Sequence, residues 1–443
     1  MFTSKKLFRA LLKIGSRHRN VAISVIFSIS VLWWTHPDNT LLYGQDSYNF
    51  FLNVFNPILN PFHIYNIEQG WITNISIASA YPILSLSSLL GLVGSPPLIE
   101  RLILMLLIFI QTFGLLRLLE TFDKVRGSLR KNTMAALISS LFYLANVFTL
   151  TVTLWHYELW TFPLAVAPYW LSSILEILYS EKVSRNRLLQ TIGISIFLSP
   201  AMSGGWAVMW IFLIIMAFIF LLFFLLSKKW SIRETFSRSW LLIALGASTL
   251  LWINIPSYLI FFILHPVSAT SVSNYESLFL GTAGIDPIYK VLAGLNLSQW
   301  PIFDVQSYGW VHGYWNILLY TSYLIIPVFL FGLFFIRRNR ALLFFYVISI
   351  PVIIFSNGNS FPFSHVNNYL FDLGGSFLIL ANAYYFIGAL YIISIAVIIY
   401  QIVEWSLGSL QKYTRNRISH QNQINEKGNI IGVSKPDRNI AKK

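Results

Sequence analysis

Between Trp206 and Leu226 the chain runs for 21 residues without one ionisable or amide side chain. About 20 such residues span the hydrocarbon core of a bilayer as a helix, and inside it a backbone can satisfy its own hydrogen bonds only as a helix or a closed barrel. Further apolar segments fall at about 20–35, 98–119, 133–153, 161–179, 188–203, 239–264, 315–336, 341–356 and 376–403. Only 11% of the 443 residues are charged, where a soluble chain carries about 25%. Trp33, Trp34, Trp155, Trp160, Trp206, Trp240 and Trp315 sit near the ends of these segments, as interfacial aromatics do. The expectation is an all-α polytopic membrane protein of about ten spans. No small-residue cleavage site closely follows the first apolar run, so that run is expected to stay as a span rather than leave as a signal peptide.

The basic residues order these spans. Of 31 Lys and Arg, 28 lie in alternate connections: 5–19, 124–131, 182–187, 228–238, 337–340 and the tail from Lys412. Positive charge marks the cytoplasmic side, which places both termini there. The net charge of +14 is then largely a topology signal with added attraction to anionic lipid, and nucleic acid is not needed to explain it. Residues 1–403 read as one transmembrane module, and 404–443 as a basic cytoplasmic tail of disordered composition. No internal repeat is visible, which disfavours inverted-repeat transporters. The chain has no cysteine, so disulfides, thiolate metal sites and thiol catalysis are excluded.

The opposite face holds two long loops. His36–Pro97 has no Lys or Arg but contains Asp38, Asp46 and Glu68; His265–Tyr314 contains Glu276, Asp286, Asp304 and a lone Lys290. Six of the eight histidines fall on this side. Long connections carry function more often than short ones, so this extracytoplasmic face, at the plasma membrane, is the expected working surface.

Within it, Asp46 lies shortly after the first span, ahead of Phe50, Phe51, Val54, Phe55, Ile58 and Leu59 at helical spacing. That pattern fits an amphipathic helix lying in the interface. A carboxylate held beneath it could serve as a general base; a helix cap or turn is the commoner role for such an aspartate. Tyr81–Val93, before Pro96-Pro97, reads as a re-entrant or interfacial segment. Arg101 at the start of the second span and Lys290 are candidates to hold a phosphate, or else interfacial and solvated charges. His156 and Glu158, in a short external connection, are candidate pocket residues or plain interfacial anchors. The histidines lack zinc-ligand spacing, so no metal ligand is assigned, although a carboxylate-bound Mg²⁺ or Mn²⁺ at Asp46 is compatible with the chemistry. Asn74 and Asn296 head glycosylation sequons. No Walker loop, dinucleotide fingerprint or nucleophile elbow is present, so nucleotide sites are not indicated.

Three stretches resemble the GT-C glycosyltransferases, within them the arabinofuranosyltransferase D-like group. They are Gly44-Gln45-Asp46-Ser47-Tyr48; Tyr81-Pro82-Ile83 with Leu89–Pro97, Glu100-Arg101-Leu102 and Gly114–Leu118; and Pro163–Trp170. The resemblance covers roughly residues 20–400 and implies a GT-C-type bundle. It also implies inverting transfer of a sugar from a polyprenyl-phosphate donor to a glycan or lipid-linked acceptor. Asp46 matches the first-loop catalytic carboxylate and Arg101 an arginine near the donor phosphate, with Tyr48, His156 and Glu158 expected to line the pocket. The chain departs from the group at Asn357–Pro362 and Ile379–Asn382, where similar enzymes place an arginine. It also ends soon after the last span, so acceptor recognition would fall to the two long loops. Two other readings stay open: a transporter or flippase for a lipid-linked glycan, and an inactive relative acting as an accessory subunit. The spans contain few mid-membrane polar groups, chiefly Gln111 and Asn254, which favours the enzyme over the transporter.

Overall fold

The computed structural model describes residues 16–34, 65–66, 71–72, 96–127, 132–150, 157–180, 183–198, 216, 219–223, 225–226, 230–247, 288–294, 317–356, 362–363, 365 and 382–431. Their regular secondary structure is helical apart from one small ribbon. In chain order the elements are α1 (Ser16–Trp34), β1 (Tyr65–Asn66), β2 (Trp71–Ile72), α2 (Pro96–Val125), α3 (Thr133–Ala145), α4 (Tyr157–Tyr179), α5 (Arg185–Leu198), α6 (232–247), α7 (Ile288–Leu292), α8 (Ile325–Ile336), α9 (Ala341–Ser356) and α10 (Asn382–Ile431). The ribbon is antiparallel, Tyr65 opposite Ile72 and Asn66 opposite Trp71.

Among the described residues, three helical stretches are long and apolar enough to cross a bilayer: Arg101–Val125, Ile317–Ile336 and Gly388–Gln411. Thr133–Ala145, Leu164–Tyr179 and Ala341–Ile354 are shorter apolar helices. This is a helical membrane protein. The interfacial helix expected over Phe50–Leu59, the segment Tyr81–Val93 and the apolar run 206–215 lie outside the described residues.

α2 is the spine. Its 30 residues give about 45 Å of helix. Pro96 and Pro97 open it, where a missing N–H costs nothing. Gly127, at φ 72°, closes it in the left-handed conformation by donating its N–H to the Lys124 carbonyl at 3.2 Å. The helix is apolar on every side, so it is wrapped: α1 packs along one flank and α4 along another. Leu104, Leu107, Leu115, Leu118 and Phe122 are buried against them.

α10 is the second organising helix, packed against α3, α4, α8 and α9. Small residues let backbones approach where lipid offers no hydrophobic drive between helices. Ser139 Oγ on α3 donates to the Ala396 carbonyl on α10 at 2.7 Å, and Tyr143 OH to the Leu164 carbonyl on α4 at 2.5 Å. A Cβ on Gly332 in α8 would overlap the Tyr346 hydroxyl and Cγ2 of Ile398. α10 continues past residue 403, where the sequence suggested that the tail begins, as helix to Ile431. Glu404 ties that continuation to the end of α2 through Arg126.

Candidate functional site

Asp46, Tyr48 and His156 lie outside the described residues. Glu158 falls in the first turn of α4. Arg101 sits in the second turn of α2 and is buried. It precedes Arg117, the next basic residue of that helix, by sixteen residues, about 24 Å of rise. Arg101 is thus at the opposite end of α2 from its basic terminus. Lys290 belongs to the single turn α7, half-buried, beside the fully buried Val291. That turn is held to α10 by Tyr391 OH, which donates to the Leu292 carbonyl at 2.7 Å. Gly294 closes the turn at φ 72°, its N–H donating to the Val291 carbonyl at 2.9 Å. Among the described residues no three His, Asp or Glu side chains gather as a metal site.

Two dense polar groups lie instead at the basic end of α2; the charge pattern counts Lys124, Arg126, Arg187 and Arg238 among the basic connections but gives none of these residues a partner or a site. In the first group Arg126 pairs with Asp123 at 2.6 Å and with Glu404. Tyr400 OH donates to Asp123 Oδ2 at 2.6 Å, and Arg126 Nη1 to Gln401 Oε1 at 3.1 Å. Gln401 also accepts from Asn339 Nδ2 at 3.0 Å, which brings in the connection between α8 and α9. The Arg126 guanidinium lies over the Phe122 and Tyr400 rings at 5.6 and 5.9 Å. Burial alone would lower the Arg126 pKa; the hydrogen bond to Glu404 and the charge of Asp123 outweigh it and hold it above the usual value. This group fastens α2 to α10 and resembles a structural lock more than a reaction centre, because every charge is spoken for.

The second group joins α2, α4 and α5. It contains Arg117, Thr121 and Lys124 from α2, Ser172, Ser173 and Glu176 from α4, and Arg187 and Thr191 from α5. A third arginine, Arg238 of α6, reaches the end of α4: its guanidinium donates to the carbonyls of Ile177 and of Ser180, the latter at 2.7 Å. It pairs with Glu234 at 2.7 Å and stacks on Trp230 at 4.7 Å. An open groove of about 470 Å³ runs beside it, lined by Val183, Ser231, Arg233, Glu234, Ser237 and Leu241. The one hint available in the sequence was the spacing of Arg117, Thr121 and Lys124, which share a helix face at i, i+4 and i+7.

At mid-span, Gln111 is fully buried, and neither amide atom has a hydrogen-bond partner among the described residues, although Tyr143 is its neighbour.

No protein-family model, curated protein or solved structure matches this chain.

Proposed function

We propose that the chain is a polytopic membrane glycosyltransferase of the GT-C kind. Its ten-span bundle has both termini in the cytoplasm and works at the outer surface of the plasma membrane. It moves a sugar, with inversion, from a polyprenyl-phosphate donor to a glycan or lipid-linked acceptor. The observation that carries this reading is the first long loop: it is acidic, lacks Lys and Arg, follows the first span with Asp46, and leads into the helix that carries Arg101 in its second turn. Arg101, buried in the second turn of α2 and remote from its basic end, is the cation this reading assigns to the donor phosphate.

In this mechanism Asp46 takes the proton of the acceptor hydroxyl. The oxygen attacks the anomeric carbon, and the bond from that carbon to the phosphate oxygen breaks. The electron pair leaves with the polyprenyl phosphate, whose charge Arg101 and Lys290 stabilise. Tyr48, His156 and Glu158 line the sugar pocket. A Mg²⁺ or Mn²⁺ ion would supply further charge stabilisation at the phosphate.

The test is turnover of polyprenyl-phosphate sugars by purified protein in liposomes, wild type against Asp46→Asn. Transfer or hydrolysis lost by at least a hundredfold in the variant is the expected result, the order of magnitude for a general base. Equal turnover in both removes Asp46 from the mechanism. The transporter reading draws on Gln111, a polar group at mid-span; its complete burial favours packing over a transport path. Movement of labelled lipid across the bilayer without sugar transfer would reverse that preference.

A further inference from the structure

At the junction of α2, α4 and α5, hydroxyls and cations converge with too few carboxylates. Arg117 is 6% exposed. Its Nη2 donates to the Arg187 carbonyl at 2.7 Å and to Thr191 Oγ1 at 3.3 Å, and its Nη1 donates to Gln190 Oε1 at 3.3 Å. Its Nε, also buried, has no hydrogen-bond partner among the described residues. Arg187 Nη1 donates to Thr121 Oγ1 at 2.9 Å. The Thr121 and Ser172 hydroxyls share a hydrogen bond of 2.8 Å, and those of Ser173 and Thr191 one of 2.7 Å. The acceptors that these contacts supply to the two guanidinium groups are all neutral. The carboxylate of the cluster, Glu176, is 3.0 Å from Lys124 Nζ and so already paired. Arg117, Lys124 and Arg187 against Glu176 leave an excess of two positive charges, and the two arginines lie close enough to repel one another.

Buried cations without opposing charge are costly, and a polar network in a membrane protein seldom leaves such an excess uncompensated. The cluster sits at the basic end of the bundle, over about the last two turns of α2 before it ends at Val125, the depth at which a lipid headgroup would meet it. Lys124, with a side chain 53% exposed, and Arg187, half-buried, lie on its accessible side, and Arg117 lies behind them. We propose that this cluster binds a phosphate group, that of an anionic phospholipid in the adjoining leaflet. The forked guanidinium of Arg187 and the Lys124 ammonium make the first contacts, Arg117 adds charge from beneath, and the Thr121 and Ser172 hydroxyls can turn to donate. The bound lipid would complete the junction of three helices, a role separate from the catalytic reading of the opposite face. Free inorganic phosphate presents the same oxygens, so the test separates the two sources.

Full-length protein in dodecylmaltoside is titrated with dioleoylphosphatidylglycerol, with dioleoylphosphatidylcholine, or with inorganic phosphate, and thermal unfolding is followed by tryptophan fluorescence. The expected result is a saturable rise in Tm with phosphatidylglycerol and little with phosphatidylcholine. The midpoint should shift about tenfold to weaker binding in Arg187→Gln, the loss of one charge-assisted contact. It should be restored to within a few-fold in Arg187→Lys, which keeps the charge. Arg338→Gln, at an exposed arginine in the nearby connection of α8 and α9, should bind as the wild type does. An equal loss in Arg187→Gln and Arg338→Gln, or no loss in either, overturns the site in favour of general attraction to a basic surface. A full rise with inorganic phosphate alone overturns the lipid as the source.

Discussion

At Gly114 α2 packs closely on α4, and replacing it by alanine measures how tightly that contact is fixed. A Cβ there would lie 2.5 and 2.8 Å from Cε2 and Cδ2 of Tyr169 and 3.2 Å from Cβ of Pro168. Carbon atoms in contact rest about 3.5–4.0 Å apart, so the ring would have to retreat by roughly 1 Å. It is poorly free to do so. Tyr169 is buried, its hydroxyl donates to the Ile110 carbonyl at 3.1 Å, and the Arg117 guanidinium lies 5.3 Å from the ring centre. Overpacking of this kind costs about 1–3 kcal/mol. Alanine returns up to about 1 kcal/mol through its better helix propensity. The net expectation for Gly114→Ala is a loss of about 1–2 kcal/mol. Equilibrium unfolding in mixed dodecylmaltoside–SDS micelles, followed by circular dichroism, reads it directly. In a Tyr169→Leu background, where the ring is gone, the same alanine should cost nothing or stabilise, giving a coupling energy of about 1 kcal/mol or more. A Gly114→Ala protein as stable as wild type, or an equal penalty in both backgrounds, would refute the close contact as described.

The lock between α2 and α10 and the orientation of the chain each give a further prediction. Arg126→Met leaves Asp123 and Glu404 facing each other with side chains only 6% and 14% exposed, and should cost about 3–5 kcal/mol in the micelle assay. Adding Asp123→Asn and Glu404→Gln should recover most of that, and a loss below about 1 kcal/mol in the single variant would show that the lock contributes little. Because the chain has no cysteine, single replacements report topology cleanly. A membrane-impermeant maleimide on intact cells should label Asn296→Cys and leave Arg337→Cys unlabelled until the membrane is opened; the reverse pattern would invert the assigned orientation.

The apolar segments were legible because a bilayer imposes a length and a composition that few other environments do. Segments read at 98–119, 315–336 and 376–403 correspond to the three helices long and apolar enough to cross, and those at 133–153, 161–179 and 341–356 to the shorter ones. The start of α2 at Pro96-Pro97 lies two residues before the span read from 98, because a proline N–H is dispensable in the first turn. The continuation of α10 beyond residue 403 was not legible, since its composition is polar and local pattern says nothing of Glu404 reaching Arg126.

What the sequence determined alone is therefore the class: a helical membrane protein, whose spans follow from apolar length and whose expected orientation follows from the alternation of charge. It also supplied the candidate chemistry at Asp46, Arg101 and Lys290, because rare ionisable residues stand out in an apolar chain. Tertiary structure decided the rest. Arg126 meets Glu404 across 278 residues, and Tyr400 meets Asp123 across 277. Arg117, Ser172 and Arg187 belong to three separate helices and become one cationic, hydroxyl-lined cluster only once α2, α4 and α5 are packed. Such groupings depend on which faces of which helices touch, and in lipid that choice is made by close-packed shape and buried hydrogen bonds, which a one-dimensional pattern of apolar residues does not encode.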